Sequence, residues 1–276
     1  AVDGVVAVDD AAALAVTVGD LRLALVDLSS GTVLPPGVSH LGDGAGALVD
    51  LLLDRHGTAW LLTTAPNQVM RIDPASLAVL ASADLGDWTT PLAMDVGHVD
   101  EPLFWEPFDA VLLLTHDPDS GAVLQIHDVA SLDHEFEPLV WASVPPGTRD
   151  VLVADCTLGS SKILVASGLA VGLSEVRYDS DLWQAVPVAD LGDVRTLAVT
   201  AAPFHDGAQV PESCADVRGL PTTKRSVGDG CGEALYALIE AGAVPVDLDL
   251  CPCYDDPSPP DPTVDWSLLS LDLTGC

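Results

Sequence analysis

Residues 67–80, Asn-Gln-Val-Met-Arg-Ile-Asp-Pro-Ala-Ser-Leu-Ala-Val-Leu, predict the fold because they carry the local signals of a β-hairpin. The bulky apolar residues before Asp73 favour a strand. Asp73 can accept hydrogen bonds from the backbone just after it, and Pro74 presets φ for a turn. An apolar run then resumes at Leu77. We therefore predict a strand, a turn at Asp73–Ser76 and a second strand.

Variants of this hairpin recur along the chain, each around an acidic residue. An isolated hairpin is barely stable in water, so such units must stack on one another. The first four steps between the acidic residues are 46, 55, 51 and 61 residues, against about 40 to 50 for a repeat of four strands with short loops. The variants lie at Leu21–Leu34 around Asp27, Val123–Leu139 around Asp128, Val176–Val188 around Asp179, Leu235–Leu248 around Glu240 and, as a half-unit, Leu268–Gly275 around Asp272.

Two of these units, Val26–Gly31 and Ile72–Ser76, resemble the YVTN-type β-propeller repeat of bacterial and archaeal surface proteins, which is related to quinoprotein-like propellers. The resemblance covers most of the chain in patches and transfers no active site. It implies an all-β, propeller-like fold with about six blades of four antiparallel strands. Radial stacking of this kind leaves only short, protected sheet edges.

We expect one domain over residues 1–276, with two irregular segments. Residues 203–233 are rich in Gly, Pro, Ser, Thr and Cys and predict a loop-rich insertion, and the proline-rich residues 251–262 predict a pinned loop. The alternative is a separate cysteine-rich module after residue 203. Glu233–Ala241 could also form a short helix, although a hairpin fits the array better.

Charge excludes two classes of partner. The chain has 42 Asp and Glu against 10 Lys and Arg, a formal net charge of -32. Such a chain is unsuited to binding nucleic acid or docking on anionic membranes. Salt adaptation, a GC-rich genome or calcium binding would each explain the acidity. Calcium is the cofactor we consider, and the candidate ligands are Asp117, Asp119, Asp255 and Asp256. The sequence contains no long uncharged apolar run of the kind that predicts a transmembrane segment.

Six cysteines, an even number, predict disulfides and an extracellular, periplasmic or cell-surface location. The residues are Cys156, Cys214, Cys231, Cys251, Cys253 and Cys276. Six cysteines allow 15 pairings, and the sequence does not choose among them. A metal site built from Cys251, Cys253 and Cys231 is the rival interpretation, but it lacks the Cys-x-x-Cys spacing of structural zinc sites.

Catalytic motifs are missing from the sequence. There is no Walker-type phosphate loop and no Gly-x-Ser-x-Gly elbow, and the seven histidines are scattered. Asp133–Glu137 contains possible acid–base groups but is expected to be exposed. We therefore expect a non-catalytic binding, structural or assembly protein with a protein partner. The alternative is a propeller enzyme, either a lactonase-like hydrolase or a quinoprotein-like oxidoreductase, with a metal or cofactor in the central channel.

Overall fold

The computed structural model describes residues 2–8, 11–17, 21–41, 47–54, 56–86, 90–99, 108–117, 121–134, 136–154, 162–168, 172–179, 182–200, 234–239 and 242–246. Regular structure in these residues consists of β-strands and a single turn of 3-10 helix at Val129–Ser131. The protein is therefore all-β, as the sequence predicts.

The strands form consecutive antiparallel meanders, which we call blades 1 to 5. Within each blade every strand pairs with the next strand along the chain. Blades 1 and 2 are β1 Val2–Ala7, β2 Ala12–Thr17, β3 Arg22–Asp27 and β4 Val33–His40, then β5 Ala47–Leu53, β6 Ala59–Thr64, β7 Gln68–Asp73 and β8 Ala78–Asp84.

Blades 3 to 5 continue the same pattern. Blade 3 is β9 Thr90–Val99, β10 Phe108–Asp117, β11 Gly121–Asp128 and β12 Val140–Ser143. Blade 4 is β13 Thr148–Ala154, β14 Lys162–Ser167, β15 Leu173–Asp179 and β16 Leu182–Ala189. Blade 5 has three described strands, β17 Val194–Thr200, β18 Ala234–Ile239 and β19 Gly242–Val246.

Blades 3 and 4 are joined into one eight-stranded sheet. The join is a single parallel pair between their outer strands, Ser143 on β12 with Gln184 on β16. The inner strands β9 and β13 also lie side by side. An apolar core fills the space between the two blades, so this pair is closed along its inner and its outer edge.

Apolar cores lie between successive blades. Strand β10 shows how this arises, because successive side chains of a strand point to opposite faces. Leu112 packs in the core between blades 3 and 4, whereas Leu113 packs in the core between blades 2 and 3. The core between blades 1 and 2 includes Leu14 and Leu61, and the core between blades 4 and 5 includes Leu164 and Leu197.

The first strand of each blade contacts the first strand of the next, in the order β1, β5, β9, β13 and β17. Antiparallel meanders that succeed one another around a row of inner strands are the blades of a β-propeller. Within the described residues there are four blades of four strands and one of three. A complete ring of about six blades is thus not contained in them, and the predicted strand at Leu268–Gly275 lies outside them.

The predicted hairpin turns at Asp27 and Asp73 are confirmed. Asp73 ends β7, and its carboxylate accepts hydrogen bonds from Ala75 N at 3.1 Å and from the Ser76 hydroxyl at 2.5 Å. Asp27 plays the same part after β3, and hydrogen bonds from Ser29 and Ser30 lower its pKa to about 2.

The observed strands test two local predictions of secondary structure. Leu235–Leu248 contains β18 and β19, so the hairpin interpretation is confirmed and the helix is wrong. The first predicted unit ends at Leu34, but β4 continues to His40 and contains Pro35–Gly37. Proline fits there because β4 is the outer strand of blade 1, where a missing N–H breaks no ladder on the open side.

Candidate functional site

Carboxylates connect the inner strands of successive blades, and they are half-buried at Asp50 and buried at Asp95 and Asp150. Asp50 on β5 accepts a hydrogen bond from Met94 N on β9, at 2.9 Å. Asp95 on β9 in turn accepts one from Val153 N on β13, at 2.6 Å. The second oxygen of each carboxylate accepts the amide of the residue that follows it. These side chains bind backbone on two strands at once.

Asp150 on β13 repeats the arrangement at the seam between blades 4 and 5. Its Oδ2 accepts the Leu197 amide at 2.8 Å and the Thr196 hydroxyl at 2.5 Å, both on β17. Its Oδ1 accepts the Val151 amide at 2.9 Å. We call Asp50, Asp95 and Asp150 the inter-blade carboxylates.

Blade 1 replaces this polar link with an apolar one. Gly4 on β1 follows a bulge in register, as Asp50 does on β5 and Asp150 on β13. A Cβ atom at Gly4 would lie 2.6 Å from the Leu48 side chain of blade 2. Glycine therefore lets the two inner strands approach closely where the other seams carry a carboxylate.

The inter-blade carboxylates are unsuited to catalysis as they stand. Each has both oxygens occupied by backbone amides, so it is fixed as an acceptor and is not directed at a substrate. Among the described residues no three His, Cys, Asp or Glu side chains are placed to hold a metal ion.

A small cleft lies at the seam between blades 2 and 3. It is lined by Asp54, His56, Arg71, Val96, Gly97, Asp109 and Val129, and its volume is about 30 Å³. A single water needs roughly 10–15 Å³ by this measure, so the cleft has room for a water or two. Organic ligands of drug size occupy pockets of roughly 300–1,000 Å³.

Hydrogen bonds hold the wall of this cleft in place. Asp54, buried just after β5, accepts the His56 and Thr58 amides and the Trp60 indole N–H, all within 2.9 Å. The Arg71 guanidinium lies 5.7 Å from the centre of the Trp60 ring, a cation–π contact. Asp54 therefore serves the β5–β6 turn.

Asp109 on β10 lies between two imidazoles at the mouth of the cleft. His98 Nδ1 lies 3.2 Å from Asp109 Oδ1, and His56 Nε2 lies 3.6 Å from Oδ2. These side chains come from two blades, so the group joins the seam at its outer surface. His56 and Asp109 are exposed to solvent, but the cleft beside them is too small for a sugar or a lactone.

A second histidine group is internal to blade 3. His127 lies buried against Phe136, with the rings stacked at 4.2 Å. Its Nε2 is 3.1 Å from Gln125 Oε1, and Gln125 donates to the Thr115 hydroxyl at 3.3 Å. Desolvation lowers the pKa of His127 to about 4, and the nearby backbone of Phe136 and Glu137 opposes only part of that effect. This imidazole is neutral at pH 7.

The predicted site residues fall mostly outside the described residues. Of the calcium candidates, Asp119, Asp255 and Asp256 lie outside them, and Asp117 is described only as the last residue of β10. All six cysteines also lie outside them, so the disulfide expectation stays a prediction. Of the segment 133–137, Asp133 and His134 are exposed, whereas Phe136 is partly buried against His127.

Sequence reasoning missed the inter-blade carboxylates, although a signal was present. Each is an Asp followed by Leu or Val in the first strand of a unit, 45 and 55 residues apart. That spacing matches the spacing of the turn aspartates, which were found. His98 and Asp109 are cross-strand partners within blade 3, but their contact with His56 carries no such signal, because it depends on how blade 2 packs on blade 3.

No family model and no curated protein matches this chain. Similar solved structures include a complex of the fission yeast SREBP–SCAP binding domains, 9% identical with TM-score 0.48, covering 90% of this chain and 58% of that one. A Bacteroides fragilis protein provisionally described as a 6-phosphogluconolactonase is 12% identical with TM-score 0.49, covering 71% and 56%. The Dos1 propeller is 8% identical with TM-score 0.44, covering 68% and 46%.

This chain spans 58% of the length of the fission yeast protein and 56% of the length of the Bacteroides fragilis protein. Its own strand order and inter-blade cores carry the assignment to the propeller architecture. No helix of the described residues is long and apolar enough to cross a membrane.

Proposed function

We propose that this protein is a non-catalytic propeller that binds a protein partner or takes part in a larger surface assembly. The observation that supports this is the use of the inter-blade carboxylates. Asp50, Asp95 and Asp150 stand on inner strands, where a propeller enzyme would place ligands or an acid–base group, and all three bind backbone amides instead. Their hydrogen bonds stabilise the contacts between blades, as expected of a rigid scaffold.

A turnover assay tests the non-catalytic part of this proposal. The purified full chain is incubated with a panel of lactones, and separately with alcohols, a quinone cofactor and an artificial electron acceptor, with and without added calcium. We expect rates equal to those of buffer. Saturable turnover that disappears in Asp109→Asn, with the melting temperature unchanged, would establish the enzyme alternative.

That alternative keeps one specific observation in its favour. Asp109 with His56 and His98 is a solvent-accessible arrangement of a carboxylate and two imidazoles, the residue types that perform proton transfer. The 30 Å³ cleft beside it argues against an organic substrate bound in this place. We therefore give the binding function precedence.

Further parts of the proposal concern the whole chain. We propose a single domain over 1–276 in which residues after 246 complete a ring of about six blades, with 203–233 inserted into blade 5. The even cysteine number supports disulfides and an exported, cell-surface or periplasmic protein. Calcium at acidic loops remains a proposed stabiliser, because carboxylates are its usual ligands.

A further inference from the structure

The outer surface where blades 3 and 4 join carries exposed apolar side chains. Leu139, Trp141 and Leu182 are 55%, 47% and 67% exposed. We call these three residues the rim patch. Together they offer on the order of 300 Å² of apolar area, the size at which a surface patch on a monomer is often functional.

The strand register brings the three residues together. The parallel pair Ser143 with Gln184 joins β12 to β16, and both of these residues are exposed. Two residues earlier on the two parallel strands lie Trp141 and Leu182, which point to the same side because side chains alternate. Leu139 lies two residues before Trp141 on that side.

The backbone under the rim patch is fixed. Leu139 N donates to Ile126 O at 2.8 Å, Trp141 is paired with Gln125 in the sheet, and Leu182 is paired with Asp179. Contact with a partner would therefore cost little ordering of the backbone, which favours affinity. Tryptophan is also the side chain most often found to dominate binding energy.

Charge around the rim patch indicates what it binds. Glu137, two residues before Leu139, is exposed. Arg177 stands across from Gln184 on the same face, but it is ion-paired with Glu175, which cancels its charge. The whole chain has a net charge of -32. Two copies would repel each other, whereas a cationic partner would be attracted.

We propose that the rim patch docks a basic segment of another protein, in which an aromatic or aliphatic side chain is flanked by Lys or Arg. The apolar side chain covers Trp141 and Leu182, and the cations face Glu137. This inference rests on the proposed binding function and adds to it a surface and a class of partner.

The test selects ligands and then maps them. A random twelve-residue peptide library on phage is selected against the immobilised full chain, and the most enriched peptide is synthesised with a fluorescent label. Its dissociation constant is measured by anisotropy for the wild type and three variants. Leu182→Asp and Trp141→Ala disrupt the patch. Leu80→Asp, at a leucine 53% exposed on β8, is the control, since it adds the same charge elsewhere.

We expect enriched peptides that combine Lys or Arg with Trp, Phe or Leu. Affinity should fall at least about tenfold in Leu182→Asp and in Trp141→Ala, and stay within about twofold in Leu80→Asp. Leu182→Asp adds a negative charge, so its loss of affinity for a cationic peptide would show that apolar contact is required. Binding should weaken with added sodium chloride.

Different failures have different meanings. Peptides that bind all variants equally would place the binding surface elsewhere, which overturns this inference and leaves the proposed function standing. Enriched peptides without Lys or Arg would overturn the partner class. A concentration-dependent dimer in ultracentrifugation that Leu182→Asp abolishes would make the occupant a second copy, and would also overturn it. No enrichment of any sequence would count against both proposals.

Discussion

Replacing Asp150 with alanine should detach blade 5 from blade 4 more than any exposed substitution does. The Leu197 amide and the Thr196 hydroxyl would each lose a charged acceptor. Hydrogen bonds to charged groups contribute about 1.5–3 kcal/mol each, which gives about 3–6 kcal/mol for the two. Removing a buried charge also removes its desolvation cost, so we expect the free energy of unfolding to fall by about 3 kcal/mol.

Urea unfolding followed by circular dichroism measures this change, and hydrogen exchange locates it. The Leu197 amide should exchange much faster in Asp150→Ala, because it is buried and loses its acceptor. Asp133→Ala, at an exposed carboxylate, is the matched control and should alter stability by less than about 0.5 kcal/mol. If Asp150→Ala behaves like that control and the Leu197 amide stays protected, the inter-blade carboxylates do not link blades.

Three other outcomes are expected. The pKa of His127 is about 4 in the folded protein against 6.5 ordinarily, so the neutral imidazole's contribution to the free energy of unfolding is fully present above pH 6.5. That contribution, about 3 kcal/mol, is lost as the pH falls to 4. Urea unfolding at a series of pH values should show that His127→Gln removes this dependence. Gly31 and Gly172 both have a φ of 68°, so replacing either with alanine strains the backbone. Only at Gly172 would the added Cβ also meet backbone, 2.7 Å from Leu191 N. Gly31→Ala should therefore lower the free energy of unfolding by roughly 1 kcal/mol, and Gly172→Ala by well over that amount in the same assay. A thermal melt at fixed high sodium chloride should show a lower melting temperature after EDTA if calcium holds acidic loops, and an unchanged one would leave the acidity as a solvated surface.

The turns could be predicted because their causes are local. Asp27 and Asp73 accept hydrogen bonds from residues two and three positions later, so the pattern that makes each turn is contiguous in the sequence. Once a turn is placed, the flanking apolar runs are strands of the right length. The resulting array of hairpins predicts an all-β chain of stacked units, which is what the structure shows.

The seams could not be predicted in the same way. Whether Asp95 bonds to Val153 or to another amide depends on the offset between two inner strands that are more than 50 residues apart. The same holds for Asp109, which meets His56 only because blade 2 packs against blade 3. Where the seam is apolar, as between blades 1 and 2, the close approach of the inner strands depends on Gly4, a residue without a side chain.

The outer strands explain why a partner would engage side chains and not add a strand. An open edge invites pairing with another chain, and proteins counter this with proline, bulges and short strands. Strand β4 contains Pro35 and Pro36, β8 has a bulge at Leu80, and β16 contains Pro187. Strand β12 has four residues and its outer edge meets β16.

These devices leave the backbone edges unsuited to pairing, yet the outer strands keep large apolar side chains in solvent. Burial of such groups stabilises folding, yet Trp141 is 47% exposed and Leu182 is 67% exposed. A surface that blocks strand addition while it presents a fixed tryptophan and two leucines favours one type of contact, in which side chains pack. That is the contact that a basic, apolar-anchored segment would make with the rim patch.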